Sequence, residues 1–228
     1  MGDLHLSLST HKPMDIFGEA WTDHTRKIRE NWLLNETDTI VLAGDLSWGM
    51  NFEEADADFA FVNALPGTKI LLKGNHDYWW QTQKKLAGIT EKYPTLHFLH
   101  NNAFETESCF VCGTRGWMAE GDGDEDRKIL KREEGRLKLS LDCWKKTGSD
   151  KPAVVFLHYP PVFGSQTCDG ILRLLHEYGV KECYYGHLHG PAHHLALEGI
   201  HGGIDYSMVS ADYLQFVPKK ICDFAKRV

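Results

Sequence analysis

The chain has 228 residues, a formal net charge of −7, 42% hydrophobic and 25% charged residues, an ordinary globular balance that excludes extended disorder and suits one domain with a sizeable core. No apolar run approaches the roughly 20 residues that span a bilayer and no signal-peptide pattern opens the chain, so a soluble, cytoplasmic protein without membrane partners is expected. The negative charge gives no general attraction for polyanions, which sets long nucleic acid aside, and cysteines at 109, 112, 143, 168, 183 and 222 are too sparse for a disulfide-stapled domain and read as reduced thiols.

Taken in chain order, Trp21, Ile28 and Trp32 recur at helical spacing, and the apolar run 39–43 reads as a buried strand. Ala55, Phe59 and Val62 mark a second helix and 69–72 a second strand; Trp79 and Trp80 are then expected to open a helix and pack. Strands follow at 96–99 and 109–112, where the odd spacing sends the thiols of Cys109 and Cys112 to opposite faces. Residues 119–150 break the rhythm: an acidic Gly-Asp-Gly-Asp-Glu-Asp loop at 121–126 precedes a charged helix carrying Leu130, Leu137, Leu141 and Trp144, which reads as an insertion bordering a cleft. Strands at 153–157 and 182–185 enclose a helix with Ile171, Leu174, Leu175 and Tyr178. Residues 206–210 and 213–217 are candidate closing strands, and the whole pattern is α/β, with sheets covered by helices.

Five short runs punctuate these elements: Asp3-Leu-His5, Gly44-Asp45, Gly74-Asn75-His76-Asp77, His158-Tyr-Pro-Pro and Gly186-His187-Leu-His189-Gly190. In each, the polar side chain follows an apolar stretch or sits beside glycine, as at the ends of buried strands. In extended backbone, residues i and i+2 face one side, so Asp3 with His5 and His187 with His189 can each converge on one point. Carboxylate, imidazole and amide donors without thiolate suit manganese, iron, zinc or magnesium.

The order and type of these runs resemble the calcineurin-like metallophosphoesterase superfamily, with its D-x-H, G-D, G-N-H-D/E, H and G-H-x-H signature. The resemblance covers nearly the whole chain. It implies a four-layer sandwich of two mixed β-sheets flanked by helices, as a single domain. It also implies two divalent ions, manganese favoured: one held by Asp3, His5, Asp45 and His189, the other by Asp45, Asn75, His158 and His187, with Asp45 bridging. A hydroxide shared between the ions is then the nucleophile on phosphorus. His76 is the implied general acid, and Asp77 the carboxylate that orients it. The chain departs from the family at its start: only Met1 and Gly2 precede Asp3, where the family has a core strand, so either further residues precede those given, or the strand is absent and Asp3 and His5 are then expected to be poorly anchored.

The Ser/Thr-phosphatase branch of the superfamily carries an arginine in a G-D-x-x-D-R-G run that grips a dianionic phosphate. Here the run is Gly44-Asp-Leu-Ser-Trp48-Gly, and tryptophan cannot supply that bidentate grip. The chain therefore looks more like the bacterial phosphodiesterase-like branch, acting on a small phosphoester, with a phosphomonoesterase or a non-catalytic metal-binding scaffold as the alternatives. Trp48 is a candidate to stack on a flat substrate group and Arg115 a candidate phosphate contact.

Overall fold

The computed structural model describes residues 1–118 and 123–221. Three strands, β1 (Thr39–Leu42), β2 (Thr68–Leu71) and β3 (Leu96–Phe98), form a parallel sheet in the order β1-β2-β3. Six more form a mixed sheet: β4 (Phe104–Glu105), β5 (Phe110–Thr114), β6 (Ala153–Leu157), β9 (Glu182–Tyr185), β10 (Gly199–His201) and β11 (Ile204–Met208), in the order β10-β11-β9-β6-β5-β4. A small hairpin, β7 (Val162–Phe163) with β8 (Gln166–Thr167), stands apart. The helices are α1 (His24–Glu30), α2 (Phe52–Asn63), α3 (Gln83–Lys92), α4 (Asp124–Lys146) and α5 (Asp169–Glu177).

Strand alternation divides the core into three interlayer spaces. Ile40, Leu42 and Leu71 face Ile28 of α1, Phe59 of α2 and Leu86 of α3. Their neighbours Val41 and Ile70 face Val111, Val154, Phe156 and Tyr184 of the second sheet. On the far side of that sheet Cys112, Val155, Leu157 and Tyr185 receive Leu137, Leu141 and Trp144 of α4 and Leu174 and Leu175 of α5. Helices, sheet, sheet and helices thus stack in four layers.

Three local expectations change. The helix expected as an insertion is α4, the crossover between parallel neighbours β5 and β6; a parallel pair requires such a connection, and burial of Leu137 and Leu141 makes α4 a core layer. Residues 119–122 of the acidic loop, and Cys222, lie outside the described residues. Residues 213–217 do not make a closing strand: 211–216 are turns, with Gln215 and Phe216 at positive φ. Trp79 and Trp80 do pack, both buried, but from a turn, because α3 starts only at Gln83.

Candidate metal centre

Four loops bring the motif residues together, each leaving the C-terminal end of a strand: Asp45 after β1, Asn75 after β2, His158 after β6, and His187 and His189 after β9. Asp3 and His5 reach the same place by a segment that joins both sheets. Gly2 N donates to Val209 O (2.7 Å), Asp3 N to Gly44 O (2.8 Å), His5 N to Asp45 O (2.9 Å) and Leu6 N to Leu46 O (2.9 Å). Both side chains are buried, so the weak anchoring expected without a leading strand is not found.

The pairs do not converge through extended backbone, as the i, i+2 argument assumed. Asp3 (φ 59°), His5 (45°), Asp45 (51°) and His187 (74°) all occupy left-handed conformations, which cost of order 1–3 kcal/mol each and persist only where the surroundings over-determine them. Glycines permit the crowding. A Cβ on Gly74 would lie 2.0 Å from Asp45 Oδ1, and one on Gly186 2.4 Å from Asp3 Oδ2.

His187 and His189 consequently serve two different groups. In the first, His5 Nε2 lies 3.2 Å from His189 Nε2, and Asp3 Oδ1 is 3.7 Å from His189 Nε2. In the second, Asn75 Oδ1 sits 2.6 Å from His158 Nε2 and 3.0 Å from His187 Nδ1. Asp45 stands between them, its Oδ2 3.8 Å from His5 Nε2 and 3.6 Å from His158 Nε2. That oxygen is buried and has no hydrogen-bond partner. A bare carboxylate oxygen facing imidazole nitrogens from two sides is what a bridging ligand between cations looks like, and the donor set fits divalent ions.

His76 borders this centre: its backbone N–H donates to Asp45 Oδ1 at 2.8 Å, and its ring lies 4.4 Å from that of Trp48 and 5.7 Å from that of His5. Asp77 does not orient it. Both Asp77 oxygens are taken by the backbone N–H groups of Gly74 (2.7 Å), Asp45 (2.9 Å), Leu46 (2.9 Å) and Ser47 (3.4 Å), and by Trp79 Nε1–H (3.0 Å). The buried carboxylate ties the Asp45 loop to the Asn75 loop, a positioning role where the sequence suggested a catalytic one. Trp48 is not a free platform either: its ring stacks on His5 at 5.1 Å, and Lys12 Nζ lies 4.6 Å from its centroid. Arg115 turns toward Glu133, with Nη2 3.5 Å from Oε1.

Residues 1–191 match the family described as calcineurin-like phosphoesterase. The chain belongs to that family. Two solved structures share the fold: AQ665 of Aquifex aeolicus, a protein of unknown function, at 15% identity and TM-score 0.53, covering 96% of this chain and 91% of that one, and TT1561 of Thermus thermophilus at 16% identity and TM-score 0.54, covering 86% and 84%. No curated protein matches the chain. Family membership supports a metal-dependent phosphoester hydrolase in general, and no helix among the described residues is long and apolar enough to cross a membrane.

In this member of the calcineurin-like phosphoesterase family, burial separates the candidate ligands electrostatically. It lowers His158 to about 3 and His187 to about 2, so these imidazoles are neutral and ready to coordinate. Burial also raises Asp3 to about 7 and Asp45 to about 6. His189 differs: burial pulls it down, but its bond to Asp212 and the charge of Asp3 leave it raised. Asp212 is the site residue the motifs do not reveal. Its Oδ1 accepts from His189 Nδ1 at 2.9 Å and its Oδ2 from Gly190 N at 3.1 Å, with His193 Nε2 at 3.2 Å. Donation from Nδ1 leaves His189 Nε2 as the free lone pair aimed at Asp3 and His5, the carboxylate–histidine arrangement that orients metal ligands. Ala43 O does the same for His158 Nδ1 at 3.0 Å.

Proposed function

We propose that this protein is a phosphodiesterase that uses two divalent ions, held by Asp3, His5, Asp45 and His189 and by Asp45, Asn75, His158 and His187. The observation that carries the dinuclear reading is the unpaired Asp45 Oδ2 between the two histidine groups. When bound, such ions polarise the phosphoryl oxygens and supply a hydroxide nucleophile at neutral pH. The chain's own residues then position and protonate. His76 lies beside Asp45, its ring 5.7 Å from that of His5, and gives a proton to the departing alkoxide. Burial holds this ring below the usual histidine range, which makes its protonated form a stronger acid, and the Asp45 charge opposes the shift. Preference for a diester follows from the missing arginine: Trp48 fills that stretch of the second motif, and the Arg115 guanidinium is engaged by Glu133.

The test is turnover of bis(p-nitrophenyl) phosphate against p-nitrophenyl phosphate by manganese-loaded protein, with a chelated control. A metal-dependent preference for the diester is expected. Preference for the monoester would replace the proposal with a phosphomonoesterase, and inactivity on both, with two ions bound, would point to a binding scaffold. On a diester whose leaving group is an alkoxide, which needs the proton that p-nitrophenolate does not, His76→Ala should lower kcat by roughly 10²- to 10⁴-fold, the range of a general acid, while two ions remain bound. Unchanged turnover would remove the acid role from His76.

A further inference from the structure

A cavity of about 230 Å³ is walled by Lys73, Arg115, Arg132 and Arg136, with His100 and a single carboxylate, Glu133. Among the described residues that line it, four cations face one anion, in a chain whose net charge is −7. Glu133 is buried and already shared: it accepts from Thr114 Oγ1 at 2.6 Å and lies 3.5 Å from Arg115 Nη2 and 3.8 Å from Arg136 Nε. Arg115 Nε is buried without a hydrogen-bond partner. Among the described residues neither Lys73 nor Arg132 has an ion-pair partner. Like charges gathered around a partly enclosed space repel one another unless an anion joins them.

The cavity is built on the frame that carries the metal centre. Lys73 lies between β2 and the Gly74-Asn75 turn. Arg115 follows the last residue of β5, and its carbonyl accepts the backbone N–H groups of His158 (3.0 Å) and Tyr159 (2.9 Å). We infer that this cavity is a second anion subsite, which takes a further phosphoryl group of the substrate, so that the substrate class is a small phosphodiester bearing an additional phosphate. The inference rests on the phosphodiesterase reading above. The guanidinium groups of Arg132 and Arg136 with the Lys73 ammonium match the double charge of a terminal phosphate, while Arg115, held by Glu133, closes the wall behind them. The overall negative charge disfavours long polyanions, which keeps the substrate small.

The test compares two diesters that differ by one phosphate, thymidine 5′-(p-nitrophenyl phosphate) with and without a 3′-phosphate, on manganese-loaded protein, and measures binding of inorganic pyrophosphate by calorimetry. The 3′-phosphorylated diester is expected to show at least about tenfold higher kcat/KM. In an Arg132→Ala/Arg136→Ala variant, which truncates two of the more exposed cavity residues, that ratio should fall toward one and pyrophosphate should bind at least about tenfold more weakly. Equal kcat/KM values for the two diesters, or a ratio that the variant retains, would overturn the substrate assignment. If neither diester is turned over, the phosphodiesterase reading fails by itself. The subsite then stands on pyrophosphate, with loss of binding in the variant supporting it and unchanged binding refuting it.

Discussion

The two halves of the proposed metal centre use the same kinds of candidate ligand in different surroundings. Around Asn75, the imidazoles of His158 and His187 are driven to about 3 and 2 by burial, and a main-chain carbonyl fixes the His158 tautomer. Around Asp3, the fixing group is a charged side chain: Asp212 holds His189, which keeps 29% of its side chain exposed and has a raised pKa. Near neutral pH few protons compete for the first half, whereas Asp3 and His189 bind protons that must leave before a cation enters. One half is set by burial and the other by an adjustable electrostatic contact.

Asp45 faces both halves and Asp77 fixes its loop, so their removal gives the largest effects. Asp45→Ala deletes the oxygen facing both histidine groups and should lower kcat/KM by about a thousandfold or more, roughly 4 kcal/mol of transition-state stabilisation. Metal analysis should find neither ion firmly bound, and retention of one tight ion would show that Asp45 is not the bridge. Asp77→Ala instead strips the acceptor from five N–H groups. At about 1–3 kcal/mol for each buried donor left unpaired, moderated by relaxation and water entry, at least about 3 kcal/mol of stability should go. That corresponds to a fall in Tm of about 6–12 °C for a domain of this size. A variant that melts like the parent but loses turnover would restore the catalytic role for Asp77.

What the sequence conveyed, and what it did not, follows the same division. Buried strands were legible because apolar runs such as 39–42 and 153–157 are buried almost throughout, and the five motifs were legible because their residue types are chemically specific. Backbone conformation at Asp3, His5, Asp45 and His187 was not: left-handed geometry in non-glycine residues is imposed by the tertiary structure, and propensity argues against it. Asp77 was assigned from its sequence neighbour, yet its carboxylate partners lie in a loop about thirty residues away. Asp212 had no signal, since a lone Ser-Ala-Asp-Tyr run looks like any turn until the fold sets it beside His189. The apolar pattern of α4 identified a helix, but position in a parallel crossover is a property of topology, and local periodicity does not encode it.

Asp212 bears on the half around Asp3 alone. Asp212→Asn keeps the size of the side chain but removes the charge that orients and polarises His189, and loss of such an outer contact typically weakens metal affinity about 10- to 100-fold. Only one of two steps in a manganese titration should shift. Equal weakening of both steps would erase the distinction between the halves.

The smallest expected effect is in the pH dependence of stability, and its sign is set by burial. In metal-free protein Asp3 and Asp45 have pKa values of about 7 and 6 against an ordinary 3.8. Their contribution is therefore complete below about pH 4 and is lost as pH rises through 6 to 7. His158 and His187, depressed from 6.5, contribute in the opposite sense: stability present above pH 6.5 is lost as pH falls. Between pH 4 and 6.5 these trends oppose one another, which flattens the Tm profile of metal-free protein. Bound cations require the ionised carboxylates, so each displaced carboxyl proton weakens apparent metal affinity by about tenfold per pH unit below its pKa. The rise in Tm on adding manganese should accordingly be largest near pH 8 and shrink toward pH 5, and Asp212→Asn should blunt that slope by lowering the His189 pKa. A metal-induced Tm gain that stays constant from pH 5 to 8 would mean that Asp3 and Asp45 are ionised in the metal-free centre despite their burial.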